Sequence, residues 1–253
     1  MIEFADVCAG YGSKTVLRDL RVGFSKGKVT AVIGPNGCGK STLLKTVIGL
    51  AEKKSGNVLV NGKEIERFSS AALAREVAYL PQERRIPDIS VKRMVLHGRF
   101  PYLKYPRRYG KTDVEKSEEA MRKLEIYDLA DKPLSELSGG MRQKVYIATA
   151  MTQDTPIILM DEPTAFLDAA HRFKLLELVC TLAQEGKTVV MVLHDITMAL
   201  RYCDEIVVIS EGRMIYKGMP EEFFQSGICK EIFGIGLGRV ATECGWQYFY
   251  EDK

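Results

Sequence analysis

The stretch Gly34-Pro-Asn-Gly-Cys-Gly-Lys-Ser41 decides the fold of this 253-residue chain. It follows an apolar, β-branched run, Val29–Ile33, and precedes residues 40–50, whose leucine, valine and isoleucine residues recur at helical spacing. Glycines at these positions let backbone N–H groups surround phosphate oxygens, and the following helix adds the positive end of its dipole. A coincidental glycine-rich turn rarely has a strand before it and a helix after it. The stretch therefore predicts a phosphate-binding loop in an α/β fold.

The side chains of this loop have distinct expected roles. Lys40 brings a positive charge to the β- and γ-phosphates, and the Ser41 hydroxyl ligates Mg²⁺. Cys38 is interpreted as a small filler of the loop rather than a redox-sensitive thiol. The remaining contacts to the nucleotide are predicted from Asn36, Gly37, Cys38, Gly39 and Thr42.

A second part of the site is predicted where the apolar run 157–160 ends in Asp161 and Glu162. A carboxylate at the end of a buried parallel strand faces the crevice where such sheets bind ligands. Asp161 is expected to hold the metal through water, and Glu162 to polarise an attacking water. Taken alone, these two acidic residues are explained equally well as the end of a strand that caps a turn before Pro163. Beside a phosphate loop it indicates an ATPase or GTPase, and the absence of an N-K-x-D motif favours ATP.

Composition excludes several classes of protein. With 46% hydrophobic and 27% charged residues the chain resembles neither a disordered nor a fibrous protein. A formal charge of +3 is too small to indicate a nucleic acid partner. The longest apolar runs are strand-length and no leader is visible, so a soluble, cytosolic chain is expected. The six cysteines show no C-x-x-C spacing, which favours reduced thiols.

Alternating apolar strands and helices predict a parallel sheet covered on both faces. Two short N-terminal strands, 2–8 and 20–24, are expected on either side of a polar turn. Residues 83–136 have few β-branched runs and the helical pattern 113–124, which predicts a helical insertion. A small element with no predicted function is expected at 227–253.

The order of motifs along the chain carries a family resemblance. Leu137-Ser-Gly-Gly140 alone indicates only the start of a helix. Following the phosphate loop and Gln82, and preceding Asp161-Glu162 and His194, it resembles the signature of ATP-binding cassette (ABC) ATPases over essentially the whole chain. The resemblance implies a P-loop NTPase (RecA-like) core with a parallel sheet, an antiparallel β subdomain and an inserted α-helical subdomain. The implied divisions are 1–82 and 137–253 for the core and 83–136 for the helical subdomain.

The resemblance also implies roles for single residues in nucleotide binding. Tyr11 looks like the aromatic residue that stacks on adenine. Gln82 looks like the glutamine that contacts Mg²⁺ and water and senses the transport partner. His194 looks like the histidine that hydrogen-bonds the γ-phosphate.

A further set of residues is implied to act across a dimer. Ser138, Gly139 and Gly140 resemble the motif that reaches the γ-phosphate of ATP bound to the other subunit, and Asp168 resembles the aspartate at the dimer interface. The position after the glycines is usually glutamine and here is Met141. Contacts from Ser138 and the backbone are expected to survive this change, while dimer contacts or the rate could differ.

The implied function is ATP hydrolysis, in a homodimer with ATP at its interface, that powers separate permease subunits docked near Gln82. His97-Gly-Arg-Phe-Pro-Tyr102, the run 166–172 and the turn 106–113 resemble the ATPases of bacterial ferric-siderophore, haem and cobalamin importers, which work with an external substrate-binding protein. The chain is then expected peripherally at the cytoplasmic face of the membrane. The alternatives are an exporter, an importer of another small solute, and a non-transport ABC protein. A non-enzymatic module conflicts with the intact Lys40, Asp161, Glu162 and His194.

Overall fold

A computed structural model describes residues 1–82, 86–243 and 245–251. The first part of the chain contains β1 (Ile2–Tyr11), β2 (Lys14–Phe24), β3 (Val29–Ile33), α1 (Lys40–Val47), β4 (Glu52–Val60), β5 (Lys63–Glu64), α2 (Ser70–Glu76) and β6 (Val77–Leu80). The middle part contains α3 (Val91–His97), α4 (Lys111–Lys123), α5 (Gly139–Thr152), β7 (Ile157–Asp161) and α6 (Ala169–Gln184). The last part contains β8 (Thr188–Val192), α7 (Ile196–Tyr202), β9 (Glu205–Ser210), β10 (Arg213–Gly218), α8 (Pro220–Gln225), α9 (Ile228–Phe233), β11 (Gly236–Thr242) and β12 (Gly245–Glu251).

The main sheet has six strands in the order β10-β9-β3-β8-β7-β6. All neighbours are parallel except β10, which runs antiparallel to β9 at the edge. Every residue of β3, β7 and β8 is buried, because helices cover both faces of the sheet. The predicted α/β fold with a parallel core sheet is confirmed.

A second, antiparallel sheet has the order β2-β1-β4-β5. Helix α1 lies between this sheet and the main one, since it contacts β1, β4 and β7. The two predicted N-terminal strands are longer than expected, and Tyr11 pairs with Lys14 across a turn of two residues. Gly10, Tyr11 and Lys14, which were predicted to lie in the turn, belong to the strands instead, because they pair across residues 12–13.

Helices α3, α4 and α5 form a layer beside β6. The described part of 83–136 contains α3, α4 and three short 3₁₀ turns, and no strand, as the sequence predicts for a helical insertion. Helix α4 starts at Lys111 because the Asp113 side chain accepts a hydrogen bond from the Gly110 N–H at 2.9 Å, which fixes the first turn. Helix α5, which begins after residue 136, packs against both α3 and β6. The division of the chain at residues 82 and 136 stays a prediction.

The end of the described chain folds back on the main body. Strands β11 and β12 form a hairpin, and β12 lies against α7. Among the described residues, no helix has the length and apolar character needed to cross a membrane.

Candidate functional site

The phosphate loop leaves the central strand β3 and ends where α1 begins. Gly34, Gly37 and Gly39 have positive φ angles of 155°, 76° and 111°. A Cβ on Gly34 would lie 2.0 Å from the Ile209 carbonyl oxygen, so a larger residue cannot follow the same path. The glycines therefore allow the loop to curl tightly over the end of the sheet.

Lys40 is buried inside this loop. Its Nζ donates hydrogen bonds to the carbonyl oxygens of Gly34 and Pro35 at 2.8 and 2.9 Å. Cys38 is also buried, and burial raises the pKa of its thiol. The interpretation of Cys38 as a small filler of the loop stays a prediction.

Ser41, Asp161 and Tyr79 meet below the loop. The Ser41 hydroxyl donates to Asp161 Oδ1 at 2.9 Å, and the Tyr79 hydroxyl donates to Oδ2 at 3.3 Å. Asp161 is 1% exposed, and burial raises the pKa of its carboxyl even though these two hydrogen bonds and the charge of Lys45 favour the ionised form. Sequence reasoning did not single out Tyr79. The available signal was a hydroxyl in an otherwise apolar strand, three residues before Gln82.

Glu162 and His194 meet at the ends of the neighbouring strands β7 and β8. The distance from His194 Nε2 to Glu162 Oε1 is 2.6 Å. Glu162 has φ +52°, a left-handed conformation that is uncommon outside glycine, and its side chain is mostly buried. A strained residue at the end of a core strand is typical of a functional position.

The oxygen atoms at this edge suit a magnesium ion. The Ser41 hydroxyl and the Asp161 carboxylate lie together, and Gln82 follows β6, whose Leu80 pairs with Met160 beside Asp161. No group of three or more His, Cys, Asp or Glu side chains placed to bind a metal is found among the described residues. Mg²⁺ prefers oxygen ligands and binds proteins through one or two carboxylates together with waters and substrate phosphates, so this donor set fits it.

The signature residues lie on the helical side of the molecule. Ser138 is the N-cap of α5, and its hydroxyl accepts a hydrogen bond from the Met141 N–H at 3.3 Å. A Cβ on Gly140 would lie 3.3 Å from the Phe166 carbonyl oxygen, so small residues here let α5 approach the segment after β7. Phe166 itself is 77% exposed.

Asp168, two residues after Phe166, caps α6. Its carboxylate accepts from the His171 N–H at 2.9 Å and lies 2.8 Å from His171 Nδ1. The backbone N–H and the imidazole of His171 lower the pKa of Asp168. The Leu-Asp-x-x-His pattern in the run 166–172 is thus a helix cap.

The predicted residues form two separate groups in this single chain. Ser41, Asp161, Glu162 and His194 gather around the phosphate loop, with Gln82 at the neighbouring strand end. In the part of the chain that the structure describes, no hydrogen bond or ion pair joins the signature, 138–140, to this loop. Tyr11 is half-exposed at the end of β1, at the turn to β2.

Comparison with known proteins shows to which family this fold belongs. A model of the ABC transporter family matches residues 17–165, more than half of the chain. The chain belongs to the ABC transporter family. This ABC ATPase therefore hydrolyses ATP in a reaction coupled to transport, as its motifs predict.

Two relatives and one solved structure extend the match over nearly the whole ABC ATPase. The chain is 42% identical to an achromobactin transport ATP-binding protein of Dickeya dadantii, over 92% of this chain and 88% of the relative. It is 40% identical to a ferric enterobactin transport ATP-binding protein of Escherichia coli, over 89% of this chain and 84% of the relative. A metal-chelate type ABC transporter in an inward-facing conformation aligns with a TM-score of 0.85 and 25% identity, covering 99% of this chain and 96% of that one. The predicted P-loop NTPase fold and the resemblance to this group of ATPases are confirmed.

Proposed function

We propose that this ABC ATPase powers import of a ferric chelate through separate permease subunits. The observation that carries the proposal is the 40% identity, over most of both chains, to the ferric enterobactin transport protein. The runs 97–102 and 166–172 support it, because both resemble the same group of importers.

Glu162 and His194 are the proposed catalytic pair. Glu162 lies at the carboxyl end of β7, where it can accept a proton from water that attacks the γ-phosphate. His194, 2.6 Å from Glu162, would orient the carboxylate, and its proposed role is to hydrogen-bond the γ-phosphate. Because phosphoryl transfer depends mainly on positioning and charge stabilisation, the buried location of Glu162 is well suited to this role.

The loop and its neighbours are the proposed nucleotide site. Lys40 already donates to two carbonyl oxygens of the loop, and we expect it to donate to phosphate oxygens when ATP is bound. Tyr11 would stack on the adenine. The proposed phosphate contacts come from Asn36, Gly37, Cys38, Gly39 and Thr42.

The magnesium ligands proposed here are Ser41 and Gln82, with Asp161 acting through water. When bound there, Mg²⁺ supplies positive charge to the β- and γ-phosphates. The chain's own contribution is the Ser41 hydroxyl and the buried Asp161 carboxylate, held 2.9 Å apart. Tyr79 fixes the second oxygen of the same carboxylate, which limits its rotation.

A second copy of the chain is needed to complete this site. Ser138, Gly139 and Gly140 lie on the helical side, and Asp168 is exposed next to them. In the proposed homodimer, the signature of each copy faces the ATP held by the phosphate loop of its partner. Closure around ATP and opening after hydrolysis would then drive the permease.

The proposed docking site for a cytoplasmic helix of the permease is a groove beside β6, the strand that ends two residues before Gln82. It has a volume of about 460 Å³ and an apolar lining that includes Ile48, Leu73 and Tyr79. Tyr79 lines this groove and also donates to Asp161, so an occupant of the groove would act on the metal site through one side chain. In this proposal the chain lies peripherally at the cytoplasmic face of the membrane, and a substrate-binding protein delivers the cargo from outside.

Uptake in cells tests the cargo. Cells with the chromosomal substitution Glu162→Gln are given radiolabelled ferric siderophores, haem or cobalamin. Loss of uptake of one ferric chelate, with the others intact, is expected. If only cobalamin uptake is lost, the cargo is a corrinoid instead. Normal uptake of all three would contradict import of this class of cargo and favour an exporter or an importer of another solute.

A further inference from the structure

The C-terminal hairpin touches the loop that carries His194. The hydroxyl of Tyr250, on β12, accepts a hydrogen bond from the Ile196 N–H at 3.0 Å. The same hydroxyl donates to Asp195 Oδ1 at 3.3 Å. Ile196 is the first residue of α7 and Asp195 is its N-cap, so both partners directly follow His194.

Asp195 links the end of β8 to the start of α7. Its Oδ1 accepts from the N–H groups of Thr197 and Met198 at 3.0 and 3.3 Å. On the other side, the Leu193 N–H donates to the Val32 carbonyl oxygen of β3 at 3.2 Å. His194 is therefore held between the main sheet and a capped helix, and Tyr250 adds a contact from the C-terminal hairpin.

The hydroxyl of Tyr250 is used in both of its hydrogen-bonding roles. A hydroxyl can donate one hydrogen bond and accept others, which matches the Asp195 carboxylate on one side and the Ile196 N–H on the other. Burial, together with the charge of Asp195, raises the pKa of Tyr250, so the hydroxyl keeps its proton and remains a donor. Phenylalanine would fill the same space and make neither bond.

Side-chain contacts attach the hairpin to two neighbouring helices. Arg201 Nη1, on α7, donates to Gln247 Oε1 at 2.7 Å. Arg239 pairs with Glu221 of α8, and its guanidinium lies 4.2 Å from the centroid of the Trp246 ring. These contacts fix both strands of the hairpin to α7 and α8, so the position of Tyr250 follows that of the helices.

We propose that Tyr250 is a positioning residue for ATP hydrolysis, which holds the 193–195 loop so that His194 faces Glu162 and the substrate phosphate. It does not touch the reacting atoms and acts through Asp195 and Ile196. The inference rests on the proposed role of His194 in hydrolysis. It gives a function to the C-terminal segment, which the motifs of the family do not include.

Steady-state ATP hydrolysis by the purified full-length chain tests this role. We expect Tyr250→Phe to lower kcat by about three- to tenfold, the range associated with one or two lost hydrogen bonds. The KM for ATP should stay within about twofold, because the phosphate loop is unchanged. The matched control is Tyr105→Phe, whose side chain is 97% exposed in the segment before α4; wild-type kinetics are expected.

A double-mutant cycle with His194→Ala separates positioning from general stabilisation. If Tyr250 acts through His194, Tyr250→Phe should have no further effect on kcat in the His194→Ala background. If Tyr250→Phe lowers kcat by its full factor in the His194→Ala background as well, the inference is overturned. It is also overturned if Tyr250→Phe alone lowers the melting temperature but leaves kcat unchanged. Neither result would contradict the ATPase function. A wild-type chain that hydrolyses no ATP would instead contradict the proposed function, and the inference with it.

Discussion

His194 Nε2 lies 2.6 Å from Glu162 Oε1, although the two residues come from different strands. Parallel pairing of β7 with β8 brings the ends of these strands to one edge of the sheet. The contact leaves Glu162 mostly buried and His194 half-exposed, with the imidazole on the solvent side of the carboxylate. The two side chains therefore form one pair at this edge of the sheet, and the first prediction concerns its carboxylate.

Replacing the proposed base separates binding from chemistry. Glu162→Gln should retain ATP binding and lower turnover by roughly 10²-fold or more, the scale expected when a general base is lost. Turnover is followed by phosphate release, and binding by titration with a fluorescent ATP analogue. Glu177→Gln, at an exposed position on α6, is the control and should behave as wild type. An unchanged rate in Glu162→Gln would remove Glu162 from this role.

Removing the lysine of the loop should act on binding. Lys40→Ala is expected to weaken ATP binding by about tenfold to a hundredfold, the usual contribution of hydrogen bonds from a charged group. The measurement is the dissociation constant for the same fluorescent analogue. Lys104→Ala, in an exposed loop, serves as control. Equal affinity in both variants would mean that Lys40 does not contact the phosphates.

The contact between α3 and α5 depends on one glycine. A Cβ on Gly98 would lie 2.3 Å from the Thr149 carbonyl oxygen, so Gly98→Ala must push the helices apart. We expect a loss of about 1–3 kcal/mol in the free energy of unfolding, typical of overpacking. Denaturant unfolding measures it. Gly23→Ala is the control, because its nearest neighbour would be at 3.8 Å; equal stability of the two variants would contradict the prediction.

The ion pair of Arg99 and Asp113 should make stability depend on pH. Arg99 Nε lies 2.9 Å from Asp113 Oδ1, and both side chains are largely buried. Burial alone would raise the pKa of Asp113, but the hydrogen bonds from Arg99 and the Gly110 N–H outweigh it and lower the pKa. The ionised carboxylate therefore stabilises the fold above the unfolded pKa of about 3.9, and this contribution is lost as the pH falls through the lower folded value.

Asp113→Asn tests this dependence. The variant should be less stable than wild type at pH 7, and the difference in free energy of unfolding should shrink below about pH 4. Denaturant unfolding at several pH values provides the measurement. Asp128→Asn, at an exposed position, is the matched control and should show little difference. A difference between Asp113→Asn and wild type that stays constant down to pH 3 would mean that the charge of Asp113 does not stabilise the fold.

Features that depend on consecutive residues could be predicted from the sequence. The phosphate loop needs glycines at fixed positions between a strand and a helix, and Ser138 caps α5 in the way its position indicates. The apolar runs of the core strands likewise identified the parallel sheet. The predicted limits of β2 and α4 were less accurate. Pairing with β1 extends β2 towards its N-terminal end, and the Asp113 side chain makes α4 start earlier, at Lys111.

The sequence by itself therefore determined the family, the order of the motifs and the residue types of the site. The tertiary structure decided which of them touch. The Tyr79–Asp161 bond joins residues 82 apart and the Tyr250–Asp195 bond residues 55 apart. Neither is visible in a local pattern, because each depends on which strands pair and where the hairpin packs. Hydrogen bonds act over about 3 Å, so only the folded chain brings these hydroxyls to their carboxylates.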